Sequence, residues 1–196
     1  MSVIENGAGD GKKAKVDQDN RLHTHAITET ANEEASGNGD AYNVNTGTIT
    51  LTTANETTCL YFKNNQAAAI HVTTIGFLIG NSTGGSGDMD LRIDKGSNGG
   101  TIISNESAVS VLQNKNVNSS KTIDVTAYKG VEGDNCTGGT ALYRTLLAGA
   151  ARPYLIASGN VVIEAGGTIC VKVTPQTGNT SMGIQIFLGI IEYNLT

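Results

Sequence analysis

The stretch "GDMDLRID", residues 87–94, alternates apolar and charged side chains without a break: Met89, Leu91 and Ile93 against Asp88, Asp90, Arg92 and Asp94. Period-two alternation puts the apolar set on one face of a strand, which needs a partner layer to cover it. "TGTITLTT" repeats the pattern with Ile49 and Leu51 between threonines, and "KTIDVTAYKG" directs Ile123, Val125 and Ala127 inward. "TTCLYFKN", "AAAIHVTTIGFLIG", "GTIIS", "SAVSVLQ", "PYLIAS", "VVIEAGGTICVKVTP" and "MGIQIFLGIIEYN" add further short apolar runs, with Gly and Asn between them. β-Branched side chains suit a pleated, half-buried surface, and Gly and Asn supply the turns. With 25 Gly, 2 Pro and no Trp in 196 residues, the chain reads as all-β.

About 8–10 antiparallel strands in roughly 150 residues point to a sandwich or barrel, and a jelly-roll-like β-sandwich fits the size. No repeat period favours a propeller or solenoid. Gly166-Gly167 reads as a tight hairpin turn, and Gly189 as a bulge or bend in the last strand. "GTALYRTLLAGAARP" breaks the rhythm: Leu142, Leu146 and Leu147 at near-helical spacing suggest a short helix or structured loop ended by Pro153. The loops "NKNVNSSK" and "GVEGDNCTGG" are expected at the ends of the sandwich.

Residues 1–45 differ from the rest. Their apolar residues, Val3, Ile4, Val16, Leu22 and Ile27, are scattered, and two glycine clusters bracket them. "ITETANEEA" suits a short helix with Thr28 as N-cap. The expected organisation is an extended N-terminal arm over 1–45 and a sandwich body over 46–196. A polar segment of this kind can order on a partner.

The formal charge of −5 and the lack of a basic stripe argue against nucleic acid as a partner. No run approaches the roughly 20 apolar residues of a membrane span. "MSVIENGAGDGKKAK" holds no apolar run of signal-peptide length, so synthesis in a cytoplasm without export by a recognisable signal is expected. Cys59 and Cys170 sit in strand-like runs and read as small buried hydrophobes, while Cys136 falls in a glycine-rich loop.

His23 and His25, two apart, could share one metal, but a catalytic zinc needs a third protein ligand. His71 lies far off in a strand, so no metal or other cofactor is assigned. "GGSGDMDLR" is one residue out of step with a calcium-binding nonapeptide and occurs once. Asp88 and Asp90 are explained as the solvent face of a strand. No nucleophile elbow, P-loop or dinucleotide fingerprint is present. Cys136 paired with a histidine is a candidate nucleophile, though no spacing in the sequence places a histidine beside it. Tyr42, Tyr128 and Tyr143 are the candidates for exposed aromatic platforms in a lectin. An enzyme is not expected.

Four phrases carry a resemblance: "VDQDNRLHTHAITE", "AYNVNTGTITLT", "LYFKNN" and "ICVKVTPQTGNTSMGIQIF". They resemble a group of small virion structural proteins of tailed bacteriophages over most of the chain. Where that group has a double proline before "GNTS", this chain has Pro175-Gln176-Thr177. The resemblance implies a capsid decoration protein made in the host cytoplasm and carried on the capsid surface. It would bind the major capsid protein as a homotrimer, with the arm docking through Arg21, Leu22, His23, His25 and Ile27. The alternative is a receptor-binding, fibre or tail component recognising a host glycan or protein.

Overall fold

The computed structural model describes residues 4–5, 13–14, 30–80, 83–105, 109, 111–148, 153–156, 161–179 and 181–192. The chain divides into two units, Met1–Thr30 and Ala31–Thr196. In the first, β1 (Ile4–Glu5) pairs antiparallel with β2 (Lys13–Ala14).

The second unit starts at Ala31, earlier than the boundary expected at 46. The helix α1 (Ala31–Asn38) opens with Glu33 and Glu34, whose charges suit a helix N-terminus. It ends in a Schellman arrangement: Gly39 N–H donates to Ser36 O at 3.2 Å, and Asp40 N–H to Ala35 O at 2.7 Å. Gly39 has φ +79°, the left-handed conformation this cap requires. Ala35 packs with Ala41 and Ile191, so the helix belongs to the body.

The remaining strands are β3 (Ala41–Leu51), β4 (Thr57–Asn64), β5 (Ile70–Ile79), β6 (Met89–Lys95), β7 (Val111–Asn114), β8 (Val125–Lys129), β9 (Thr140–Leu147), β10 (Pro153–Ile156), β11 (Val161–Ile163), β12 (Thr168–Pro175) and β13 (Met182–Glu192). They form two antiparallel sheets. One runs β10-β5-β13-β3-β7 with β11 also on β5; the other runs β8-β4-β12-β6-β9. The pairs nest: β3 with β13, β4 with β12, β5 with β10 and β11, β6 with β9. First joins last, second joins next to last, and the ribbon rolls into two layers. That is the jelly roll of eight strand positions, the β10–β11 pair counting as one interrupted strand. β7 and β8 are additions from the β6–β9 connection, so the described residues of the body hold eleven strands in ten positions, in line with the 8–10 expected.

The core lies between the sheets. Met89, Leu91, Ile93 and Phe62 of one sheet share that core with Phe77, Ile184 and Leu188 of the other, all almost fully buried. Each such side chain stabilises the fold by about 1.5–3 kcal/mol. Ile123, Val125 and Ala127 pack against the same core, as their spacing predicts. The register shift beside Gly189 matches the expected bulge: Gly189 stands opposite Thr74 and Ile190 opposite Val72, leaving Thr73 as the extra residue.

Other local expectations change. "GTIIS" is not a strand but the helix α2 (Gly100–Ser104), whose Ile102 is fully buried. Two adjacent isoleucines fit a helical turn or a strand equally well. Residues 140–147 are not helical. β9 is an edge strand open on both faces, so its side chains show no inside–outside alternation. Pro153 does not end a helix; it begins β10 at the sheet edge, where a missing N–H costs nothing. Gly166-Gly167 turns the chain between the two sheets and does not form a hairpin: β11 lies in one sheet and β12 in the other. Gly167 N–H donates to Glu164 O at 2.8 Å and Gly166 takes φ +73°, the glycine position of a type II turn.

Among the described residues, no helix is long and apolar enough to cross a membrane.

Candidate interaction surface and a buried polar cluster

The two long sides of the sandwich differ. On one side β7 extends the first sheet beside β3, and β8 extends the second beside β4. The two additions meet: Val109 N–H donates to Ala127 O at 3.2 Å, and Val109, Val125 and Ala127 lean on the core. That side is sealed.

Among the described residues the other side is open. There the second sheet stops at β9 and the first at β10 and β11. Five of the ten exposed large apolar residues among those described lie on these edge strands: Leu142, Tyr143 and Leu146 on β9, Leu155 on β10 and Val162 on β11. Leu155 is 67% exposed and Leu146 60%. Unpaired strand edges that also carry leucine invite another chain, since charged residues are the usual protection. Arg144, directly across from Arg92 on β6, is the one charged side chain of β9, whose other residues are Thr140, Thr145 and apolar side chains.

Between the open edges lies a cleft of about 620 Å³. Lys95, Thr140 and Leu142 line it from one sheet, Val162 and Glu164 from the other. Cation, carboxylate and hydroxyl stand beside leucine and valine there, an arrangement that suits a polar ligand with an apolar side.

A second feature sits on the outer face of the five-stranded sheet. The loop 130–139, expected at an end of the sandwich, crosses this face. Gly130 N–H donates to Cys59 O at 3.1 Å, Cys136 N–H to Thr58 Oγ1 at 2.8 Å, and Thr137 N–H to Asn98 O at 3.0 Å. Beneath it Tyr61, Ile102, Cys136 and Cys170 form a small apolar cluster with Tyr128 against it.

The covered face also holds charge. Asp94, expected on the solvent face, is fully buried. Arg92 Nε lies 2.6 Å from its Oδ1, and Lys172 Nζ 3.1 Å from its Oδ2. The Lys172 ammonium is itself nearly buried, and Glu56 Oε1 lies 3.6 Å from it. One carboxylate is thus held between two cations that balance its charge, with Oδ1 bonded to Arg92 and Oδ2 in ion-pair contact with Lys172 but without a hydrogen bond.

The Cys136 thiol is held below its ordinary range by a hydrogen bond with Cys170, with help from the Thr58 hydroxyl and the Lys172 ammonium. Cys170 moves the other way, raised by the same hydrogen bond and by burial. Among the described residues no histidine acts on the Cys136 thiol; His23 and His25 lie outside them.

Arg21, Leu22, His23, His25 and Ile27 lie outside the described residues, as does Thr28. His71 sits half-buried on β5, opposite Val162 and Ile191. No three His, Cys, Asp or Glu side chains gather as a metal centre among the described residues. Asp88 and Asp90 brace the loop after β12: Gln176 N–H donates to Asp88 O at 2.9 Å, and Gln176 Nε2 to Asp90 Oδ2 at 3.3 Å. Of the three tyrosines considered for sugar stacking, Tyr42 is buried and Tyr128 half-buried; Tyr143 is exposed on the open side. Sequence reasoning missed both the open side and the buried cluster. The first depends on which strands end up at an edge, the second on a loop folding back over a sheet.

No family model and no curated protein matches the chain. A solved structure of infectious bursal disease virus, Gx strain, aligns over 78% of this chain and 41% of that one, at 10% identity and a TM-score of 0.13. The chain thus spans about two fifths of that protein's length. Such a score carries no argument, so fold and function rest on the chain's own geometry.

Proposed function

We propose that the chain is a non-enzymatic structural protein of a bacteriophage virion, a capsid decoration protein that sits on the outer shell as a homotrimer. The observation that carries the reading is the asymmetry of the sandwich. One long side is sealed by β7 and β8, and the other leaves Leu142, Leu146, Leu155 and Val162 in solvent. A cyclic trimer formed through the open side covers these residues and ends the exposed edges. Many such trimers on a repeating shell turn weak contacts into firm attachment. The separate unit Met1–Thr30 carries Arg21, Leu22, His23, His25 and Ile27, the residues assigned to docking on the major capsid protein.

The test has two stages. Light scattering of the purified chain should give three times 20.3 kDa. Deletion of residues 1–30 should leave a folded trimer that no longer binds capsids. The cut belongs at 30 because removing 1–45 takes away α1 and the first half of β3. Undiminished capsid binding by the truncated protein rules out arm docking.

The cleft favours a second reading, a receptor-binding or fibre component. Its mixed lining, with Tyr143 exposed on β9 next to Leu142, suits a host glycan. Binding of the purified protein to host cells, abolished by Lys95→Ala with Glu164→Ala, would select that reading over decoration.

A further inference from the structure

Cys136 and Cys170 come from distant parts of the chain, one from the loop 130–139 and one from β12, yet their side chains touch in one small cluster. The surroundings make the two thiols unequal. Cys136 is 4% exposed, and the hydrogen bond with Cys170, then the Thr58 hydroxyl and the Lys172 ammonium, favour its thiolate against burial and the Asp94 carboxylate; Cys170 is fully buried beneath it. Cys59, the remaining cysteine, is fully buried in the main core and belongs to another cluster. An activated thiol with a sliver of solvent contact and a second thiol in touch behind it is the arrangement of a reversible dithiol.

We propose that Cys136 and Cys170 are a redox pair, in which a hydroperoxide oxidises Cys136 and Cys170 resolves it to a disulfide that fastens the loop 130–139 to β12. The Cys136 thiolate attacks the terminal peroxide oxygen. An S–O bond forms, the O–O bond breaks, and the leaving alkoxide or hydroxide takes a proton to become alcohol or water. Cys170 then gives up its proton and attacks the Cys136 sulfur, expelling hydroxide, which that proton converts to water. Two thiols lose two electrons and the peroxide gains them. A dithiol reductant reverses the bond by exchange. The pair would stay reduced in a cytoplasm and close once the protein meets an oxidising exterior.

The bond locks more than the loop. Thr137 is bridged to Asn98, Thr101 N–H donates to Asn135 O at 3.0 Å, and Asn105 Nδ2 donates to Asp134 Oδ1. α2 and the cover of the Asp94–Lys172 ion pair are therefore fixed with it.

The test uses the full chain, reduced and then treated with hydrogen peroxide. Thiols are counted by alkylation after unfolding, and the product is mapped by proteolysis and mass spectrometry. Expected are the loss of about two mass units on closing one disulfide, a Cys136–Cys170 linked peptide, and a Cys59 that remains alkylatable. Dithiothreitol should restore all three thiols, and the oxidised form should melt about 5–10 °C higher, as expected for a crosslink closing a loop of this size. In Cys170→Ser, checked for folding by circular dichroism, a sulfenic acid at Cys136 should persist and react with dimedone. The proposal is overturned if Cys136 proceeds to sulfinic acid while Cys170 stays free in the unmodified sequence. It is also overturned if both thiols remain fully alkylatable under conditions that oxidise a free cysteine peptide.

Discussion

The phenyl ring of Phe187 lies across the α-carbon of Gly76 on the outer face of the six-stranded sheet. A β-carbon at Gly76 would collide with that ring. The two residues stand directly opposite in the pairing of β13 with β5, and Leu155 of β10 flanks Gly76 on its other side. An aromatic ring laid over a glycine replaces the side chain the strand lacks.

Gly76→Ala should therefore cost about 1–3 kcal/mol by overpacking. Phe187→Ala should cost about 1–2 kcal/mol through lost apolar cover. In the double variant the clash is gone, so the two costs should not add. Urea midpoints of the four proteins decide it; strict additivity would show that the ring and the glycine do not interact.

The Asp94 carboxylate holds the Lys172 ammonium inside the sheet cover at 3.1 Å. Asp94→Ala leaves that cation buried and should destabilise by about 3–5 kcal/mol. Asp94→Leu combined with Lys172→Met removes both charges and should cost markedly less than the single change. Denaturant unfolding compares them. Equal losses in both would mean that packing, and not the charge left behind, sets the cost.

Glu132 pins two loops together. Its carboxylate accepts from the amide and hydroxyl groups of Thr52 and Thr53 at 2.5–2.8 Å. The Thr52 hydroxyl leads these donors in lowering the pKa from 4.5 to about 2. A depressed carboxylate stabilises the fold fully above its unfolded value and loses that contribution as pH falls through its folded value. The contribution should thus be complete above about pH 4.5 and gone near pH 2. The site is partly open to water, so the size is about 1 kcal/mol. Glu132→Gln should melt lower than the parent at pH 6 and converge with it near pH 2; parallel melting curves across that range would exclude the anchor.

Leu146→Lys and Leu155→Lys place charge on β9 and β10, where both side chains already face solvent. Folding should be unaffected, within about 0.5 kcal/mol, as for exposed positions generally. Self-association should fall at least tenfold. Light scattering across a dilution series reads the change, and unaltered assembly would remove the open side as the interface.

The core was legible because alternation survives wherever one face of a strand meets it, as in Met89–Leu91–Ile93. It failed for β9, whose side chains face solvent on both sides and so carry no pattern. Asp94 read as a surface residue because its own strand alternates correctly; the cover over it comes from the loop 130–139, remote in sequence. Cys136 and Cys170 gave no local sign of meeting. Their contact depends on β12 lying beside β4 and on the chain after β8 folding back, and both are long-range pairings. That the compact unit begins at Ala31 was not legible for a related reason: α1 is marginal alone and is supported by Ala35 packing on Ala41 and Ile191.

β13 is the last of the eleven strands to leave the ribosome, and it occupies the centre of the six-stranded sheet, between β5 and β3. Until it arrives, those two strands have no shared neighbour and the layer has a gap through its middle. Ala41 waits for Ile191, and Leu51 for Met182. Such pairing sacrifices chain entropy before any contact rewards it, which makes folding slow and leaves apolar strands uncovered during synthesis. A chain broken off before Met182 can pair the five-stranded sheet but not close the other layer over it, so the core stays open on that side. The topology thus couples folding to completion of the body, so that prematurely terminated copies are left to chaperones and proteases.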